Sequence, residues 1–261
     1  MLDTQRLDMT LASNNQYLPP GSELLDSDDI PVDNEDQNWI PNVLLMLLKN
    51  IWGTRTDWFF GVDMGVYHAT GKNARVPIVP DGFLSLGVER RKHNKSRRSY
   101  VVWEEQDIAP ILALEVVSWT PGGEYDDKAA IYAKLGVLYY IIYNPEFWRR
   151  DGHQPLEIYQ LVGDSYQLQI GEPLWMPEIG LGIGRSPEIF PGSNEEVLSW
   201  FDEKGDRYLR AEEKEIQAQL AATQARAEVI QARTEADLAQ QRAEKLLAKL
   251  QELGIDADTL E

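Results

Sequence analysis

The chain has 261 residues, with 25 Lys and Arg against 43 Asp and Glu (net −18), no cysteine, 43% hydrophobic residues, 8 Trp and 11 Tyr. At about 150 residues per domain, this is enough for one full domain with extensions and a well-buried core. The missing cysteine excludes a disulfide scaffold, a thiolate zinc site and a cysteine nucleophile, and the negative charge excludes a protein that coats nucleic acid, though not one that touches it at a single local site.

No run approaches 18 apolar residues, and the N-terminus (MLDTQRLDMT) lacks the basic-then-apolar order of a signal peptide, so a cytoplasmic protein without a membrane span is expected. Residues 1–37 hold an acidic run and a Pro19-Pro20-Gly21 break with little apolar periodicity, and read as disordered or loosely docked. Residues 38–201 read as the folded domain and 202–261 as a tail.

Within the domain, residues 40–52 (IPNVLLMLLKNIW) predict an apolar helix, and 57–67 and 76–86 predict strands. A polar excursion over 89–98 precedes the β-branched run 111–118 (ILALEVVS), which is short enough for a buried central strand. After Pro121-Gly122-Gly123, residues 124–135 predict a helix closed by Gly136. Residues 138–143 predict a strand ended by Asn144-Pro145, and 156–162 and 165–170 a further hairpin. Gly180–Gly184 (GLGIG) lacks the context of a phosphate cradle and reads as loop. The order α-β-β-β-α-β predicts an α/β fold, a mixed sheet flanked by helices. From Glu203 to Leu253 an Ala/Glu/Gln-rich stretch, with Ile216, Leu220, Ala227, Ile230, Leu238, Leu246 and Leu250 along it and Gly254 as its stop, predicts a long helix that is either a modest coiled coil or a solvated single helix.

Glu115 is the most informative residue. A carboxylate inside an apolar strand costs several kcal/mol unless it meets a cation, so it implies either an ion pair with a buried Lys or Arg or a metal site. Asp81, after Pro80, reads alone as a turn residue; on a strand neighbouring that of Glu115 it would complete a hard-cation site for Mg2+ or Mn2+. Lys128 is either a surface partner of Glu124 or a cation leaning over the carboxylates, and Tyr132, one turn on, is either core or a hydrogen-bond donor to the same site. Ser118 lies at the C-terminal end of the Glu115 strand, where sites gather in α/β sheets. Arg90, Arg91, Lys92, Lys95, Arg97 and Arg98 form the one dense basic patch, either a solvated loop or a grip on a phosphate backbone. His68, His93 and His153 are scattered without ligand spacing.

Together, Pro80-Asp81, Glu115-Val116-Val117-Ser118 and Lys128-xxx-Tyr132-xxx-Gly136 in this element order resemble the Uma2 (DUF820) family of the PD-(D/E)xK nuclease superfamily, over about residues 40–200. The tail closing in Glu-Leu-Gly-Ile-Asp is similar to tails on many cyanobacterial members. The resemblance implies a restriction-endonuclease-like fold and a Mg2+- or Mn2+-dependent DNA endonuclease that hydrolyses phosphodiester bonds with a metal-activated water. Asp81, Glu115 and the Val116 carbonyl would be the metal ligands and Lys128 the catalytic lysine, moved from the superfamily's usual position, which Val117 fills here. Tyr139 stands where many relatives carry Glu, before the aromatic that matches Tyr140. A homodimer through the tail is expected, so that two sites serve two strands. The alternatives are a nuclease for RNA or branched DNA, and an interaction or assembly module that keeps the fold and works through its tail.

Overall fold

A computed structural model describes residues 18–25, 34–120, 122–187 and 196–253. Most of the acidic N-terminal segment, Pro121 and Gly254 lie outside them. Two compact units are present, residues 1–208 and 209–261. Among the described residues, no helix is long and apolar enough to cross a membrane.

The first unit begins with helix α1 (Glu35–Ile51), five residues earlier than its apolar stripe suggests. Asn34 caps it by accepting from the Gln37 N–H at 3.0 Å, and Glu35 and Asp36 sit favourably in its first turn. Its buried face is Ile40, Val43, Leu44, Leu47 and Leu48, the i, i+3, i+4, i+7, i+8 stripe of an amphipathic helix.

The central sheet has six strands in the order β1 (Trp58–Val62), β3 (Gly82–Leu86), β5 (Leu112–Val116), β6 (Tyr139–Tyr143), β7 (Leu156–Val162) and β8 (Ser165–Leu168). All neighbours are antiparallel except β5 and β6, which are parallel and joined through helix α2 (Asp127–Leu135). Gly136, at φ +82°, ends α2 in the left-handed conformation that glycine adopts without penalty. The α-β-β-β-α-β order is thus α1-β1-β3-β5-α2-β6.

Two expected strands are shorter than the sequence suggests. The run 57–67 breaks at Asp63, whose φ is +46°, and its remainder, β2 (Val66–Tyr67), leaves the sheet to pair in parallel with β4 (Tyr100–Val101). The run 76–86 enters the sheet only at Gly82; before that, Ile78 makes a single bridge to Val66. The hairpin 165–170 keeps strand only to Leu168.

Gly180–Gly184 is a correction. These residues enter strand β10 (Leu181–Pro187), between β9 (Leu174–Met176) and β11 (Glu196–Phe201) in a second, three-stranded sheet. A Cβ at Gly184 would stand 3.0 Å from the Pro173 backbone, and one at Gly182 3.3 Å from Phe201 Cβ, so the glycines permit close approach within a sheet.

Two cores result. On one face of the central sheet α1 packs with the second sheet over Trp58, Phe60, Leu112, Leu114, Val116 and Tyr139, where the buried indole of Trp200 donates to the Leu44 carbonyl at 3.0 Å. On the other, α2 covers Phe59, Phe83, Ala113, Val117 and Tyr140. Residues 18–25 of the N-terminal segment are packed: Trp103 donates to the Pro19 carbonyl at 3.1 Å, and Leu24 is buried against Tyr67 and Val101.

The second unit is helix α4 (Ala211–Glu252), 42 residues and roughly 63 Å at 1.5 Å per residue. Gln–Glu pairs one turn apart, such as Gln231 to Glu235 at 2.9 Å, support it along its length. Ile216, Leu220, Ile230, Leu238 and Leu246 are exposed along it.

Gly61→Ala would place a methyl 2.2 Å from the ring of Phe83, which is itself held by Phe59 and Tyr100. The variant is expected to lose about 1–3 kcal/mol of stability in chemical denaturation. An unchanged midpoint would show that the Phe83 ring can yield.

Candidate functional site

The site forms where β3 begins and β5 ends. Because β3 runs antiparallel to β5 with Gly82 opposite Leu114, Asp81 is carried to the C-terminal end of β5. There its Oδ2 accepts from the Val116 N–H at 2.6 Å. Asp81 is therefore no free turn residue: its backbone carbonyl also accepts from the Asp63 N–H at 3.1 Å, extending the β1–β3 ladder by one rung. Glu115 is 1% exposed, on the α2 side of the sheet between Ala113 and Val117. Helix α2 crosses that side, and its first turns deliver two donors. Lys128 Nζ reaches Glu115 Oε2 at 2.7 Å, and the Tyr132 hydroxyl donates to Oε1 at 2.5 Å. Both alternatives for Tyr132 hold at once, because its ring is core and its oxygen is site.

Lys128 does not use Glu124 as a helical i,i+4 partner. Helix α2 starts only at Asp127, and the buried Glu124 instead turns its carboxylate onto the Gly122 N–H, at 3.0 and 2.9 Å. Its backbone carbonyl accepts from the Tyr140 hydroxyl at 2.6 Å, which fixes the loop between β5 and α2. Ser118 is buried at the same strand end and donates to the Thr120 carbonyl at 3.1 Å, bracing the chain as it leaves β5. Tyr139 points to the opposite core, where its hydroxyl donates to Glu178.

The electrostatics are unbalanced. Burial, reinforced by the charge of Glu115, pushes the Asp81 carboxyl up to about 8, against the pull of the Val116 N–H and Lys128. Burial also raises Glu115, opposed by Lys128. Burial lowers Lys128, but the charge of Glu115 outweighs it and leaves the ammonium harder to deprotonate than usual. Lys128 pairs with Glu115 and pulls on Asp81 only through its charge, so a divalent cation is the group that would let both acids ionise together. Asp81, Glu115 and the Val116 carbonyl are hard oxygen donors of the kind Mg2+ and Mn2+ take. Among the described residues, no three Asp, Glu or His side chains converge closely enough to hold a metal unaided, so the remaining ligands would be the carbonyl and water.

Gln37 and Asp63 belong to this neighbourhood and were not singled out from the sequence, and Glu124, which the sequence offers only as a helical partner of Lys128, belongs to it too. Gln37 Nε2 donates to the Val116 carbonyl at 3.3 Å, bringing the start of α1 to the site. Its signal was present: Asn34 followed three residues later by Gln is a capping signature.

The basic excursion is placed differently from its sequence position. It leaves β3 at the end opposite Asp81: the Gly87 N–H donates to Asp57 and the Arg90 N–H to Thr56, about 20 Å of strand away from the carboxylates at roughly 3.3 Å per residue. Arg97 is committed internally, bidentate to the buried Glu105 at 2.9 and 3.0 Å and stacked on Phe59. Lys92 bonds Glu104 at 3.0 Å, and Arg90 lies over Trp58. Arg91, Lys95 and Arg98 are exposed. His68 bonds Thr70, His153 stacks on Tyr125, and His93 is exposed.

A family model described as "Uma2: Putative restriction endonuclease" matches residues 29–186. A solved structure titled as a putative nuclease belonging to DUF820, from Anabaena variabilis ATCC 29413, is 12% identical, with 56% of this chain and 74% of that one covered at a TM-score of 0.40. Comparison with curated proteins finds no match.

Because the Asp81 carboxyl in the metal-free chain keeps its proton to about pH 8, against an ordinary value of 3.8, its contribution to stability is full below about pH 4 and is lost as pH rises to 8. A cation must displace that proton. The rise in melting temperature caused by Mg2+ is therefore expected to be larger at pH 8.5 than at pH 6.5, and to vanish in Asp81→Asn. An equal rise at both pH values would place the cation elsewhere.

Proposed function

The chain belongs to the Uma2 family, and from that membership together with the convergence of Asp81, Glu115 and Lys128 we propose that it is a Mg2+- or Mn2+-dependent DNA endonuclease. The observation that supports this most is the buried Glu115 paired with Lys128 at a strand end, where the buried Asp81 carboxyl feels the charge of both. A bound cation would supply Lewis acidity and activation of a water near neutral pH.

The chain's own residues do the rest. Asp81 and Glu115 would hold the cation together with the Val116 carbonyl. Val116 N–H orients Asp81, and Tyr132 orients Glu115, which fixes the direction in which each acid is presented. Lys128 is a quarter exposed, so its ammonium can face both Glu115 and an incoming phosphate, and would offset charge building on the phosphoryl oxygens. Its α2 position, in place of Val117 on β5, serves because the long side chain reaches the same carboxylate from the helix. Of the basic excursion, the exposed Arg91, Lys95 and Arg98 remain suited to hold DNA at a distance from the carboxylates.

The 42-residue α4, with its exposed apolar residues, supports a homodimer through the tail, two copies presenting two sites to two strands. The same feature is what favours the second reading, an assembly module with the fold of a nuclease.

Supercoiled plasmid with Mg2+ or Mn2+ is expected to be nicked by the wild type. Glu115→Ala and Lys128→Ala are expected to slow nicking by about 100-fold or more, the scale for removing one group that stabilises the transition state. Cleavage that survives intact in Glu115→Ala would refute the site. Removal of residues 209–261 is expected to turn a dimer into a monomer in analytical ultracentrifugation while the Mg2+-induced rise in melting temperature stays. An unchanged sedimentation coefficient per subunit mass would remove α4 as the dimer contact.

A further inference from the structure

The chain that leaves β5 carries a side chain the site does not use. Trp119 is 75% exposed, a costly position for the largest apolar side chain. It lies three residues beyond Val116, at most about 11 Å along the backbone from the carbonyl assigned to the cation.

Its surroundings hold it in place. The Trp119 carbonyl accepts from Arg150 Nη1 at 2.9 Å, and its ring meets Phe147 edge-on with centroids 5.7 Å apart. The Arg150 guanidinium lies 4.4 Å over that same Phe147 and is itself oriented by Asp151 at 2.6 Å. On the same short helix α3 (Trp148–Asp151), the exposed Arg149 lies 4.4 Å over Trp148. An exposed indole therefore stands beside Arg150, and Arg149 is exposed one position earlier on α3, in a chain of net charge −18. Aromatic faces with adjacent cations are what stack a nucleobase and hold its phosphate. The interior of a duplex presents no base face to such a ring, so away from duplex ends only an unstacked base can use it.

We propose that Trp119 stacks an unpaired DNA base next to the scissile phosphate while Arg149 and Arg150 hold the flanking backbone, which makes single-stranded or locally unpaired DNA the substrate class. This rests on the nuclease reading for its substrate. It gives the molecule a second nucleic-acid contact besides the basic excursion, much closer to the carboxylates.

The test is fluorescence anisotropy with a labelled 12-nucleotide DNA single strand, the matching blunt duplex and the same sequence as RNA, with Ca2+ replacing Mg2+ to prevent cleavage. The full chain is expected to bind single-stranded DNA more tightly than duplex. Trp119→Ala should weaken the single strand by about 5- to 150-fold, the range for one stacked base, with duplex binding and melting temperature unchanged. Trp119→Phe should restore most of the affinity, and Arg149→Ala should flatten the salt dependence by about 0.7 in log–log slope, one phosphate contact on a single strand. Equal affinity of Trp119→Ala and wild type, equal losses on duplex and single strand, a Trp119 dependence seen only with RNA, or no binding at all would each overturn the proposal. The nuclease reading is judged separately, by Mg2+-dependent cleavage of both the plasmid and the labelled single strand: cleavage that does not depend on Trp119 keeps that reading and loses this one, and binding through Trp119 with neither DNA cleaved loses the nuclease reading and leaves only a base-stacking site.

Discussion

A fully buried carboxylate on the central strand is the constraint around which the site is arranged. Glu115 occupies a position where Leu112, Ala113, Leu114 and Val116 are all at zero exposure, and left alone its charge would cost several kcal/mol. Lys128 and Tyr132 meet one oxygen each. Both come from α2, one turn apart, so the parallel β5-α2-β6 crossover must lay that helix across the carboxylate. Gly136 then ends α2 and Tyr140 locks the loop before it through the Glu124 carbonyl. The packing of this side of the sheet and the chemistry of the site are one arrangement.

Asp81 adds a second buried acid, which burial and the charge of Glu115 keep protonated up to about pH 8. A core selected for stability alone would gain by losing one of the two acids, because replacing buried charge by packed apolar groups is often neutral or favourable. Instead the Val116 N–H, an extra rung of ladder from Asp63 and the Gln37 amide on the Val116 carbonyl surround the pair with backbone and polar contacts. The cost of holding like charges together is a cost a divalent cation removes.

The basic excursion shows how chain neighbours can separate in space. It follows the Asp81 strand directly, yet β3 carries it the length of the sheet away, and Arg97 and Lys92 serve Glu105 and Glu104 there. Buried Arg97 acts as a structural wedge between Glu105 and Phe59. Trp119 and α3 illustrate the converse: residues some thirty positions apart in the chain meet at the strand end through the Arg150–Trp119 bond.

From sequence alone, the element order α-β-β-β-α-β, the buried strand around Glu115 and the glycine stop of α2 were legible, with Asp81, Lys128 and Tyr132 as candidates for what surrounds that carboxylate. Apolar periodicity, strand length and turn punctuation are local properties, and a charge inside an apolar run announces that a partner must exist. The sheet formed by β9, β10 and β11 was not legible, because Gly182 and Gly184 are read locally as flexibility when they answer to the nearness of Phe201 and Pro173. Nor were the breaks at Asp63 and before Gly82, which depend on where β2 finds β4. Which donor reaches Glu115, that Glu124 turns to Gly122 and away from a helical pair, and which end of the sheet receives the basic loop were decided only by tertiary structure. Each depends on strand direction and register, which pairing between distant segments sets and no local window contains.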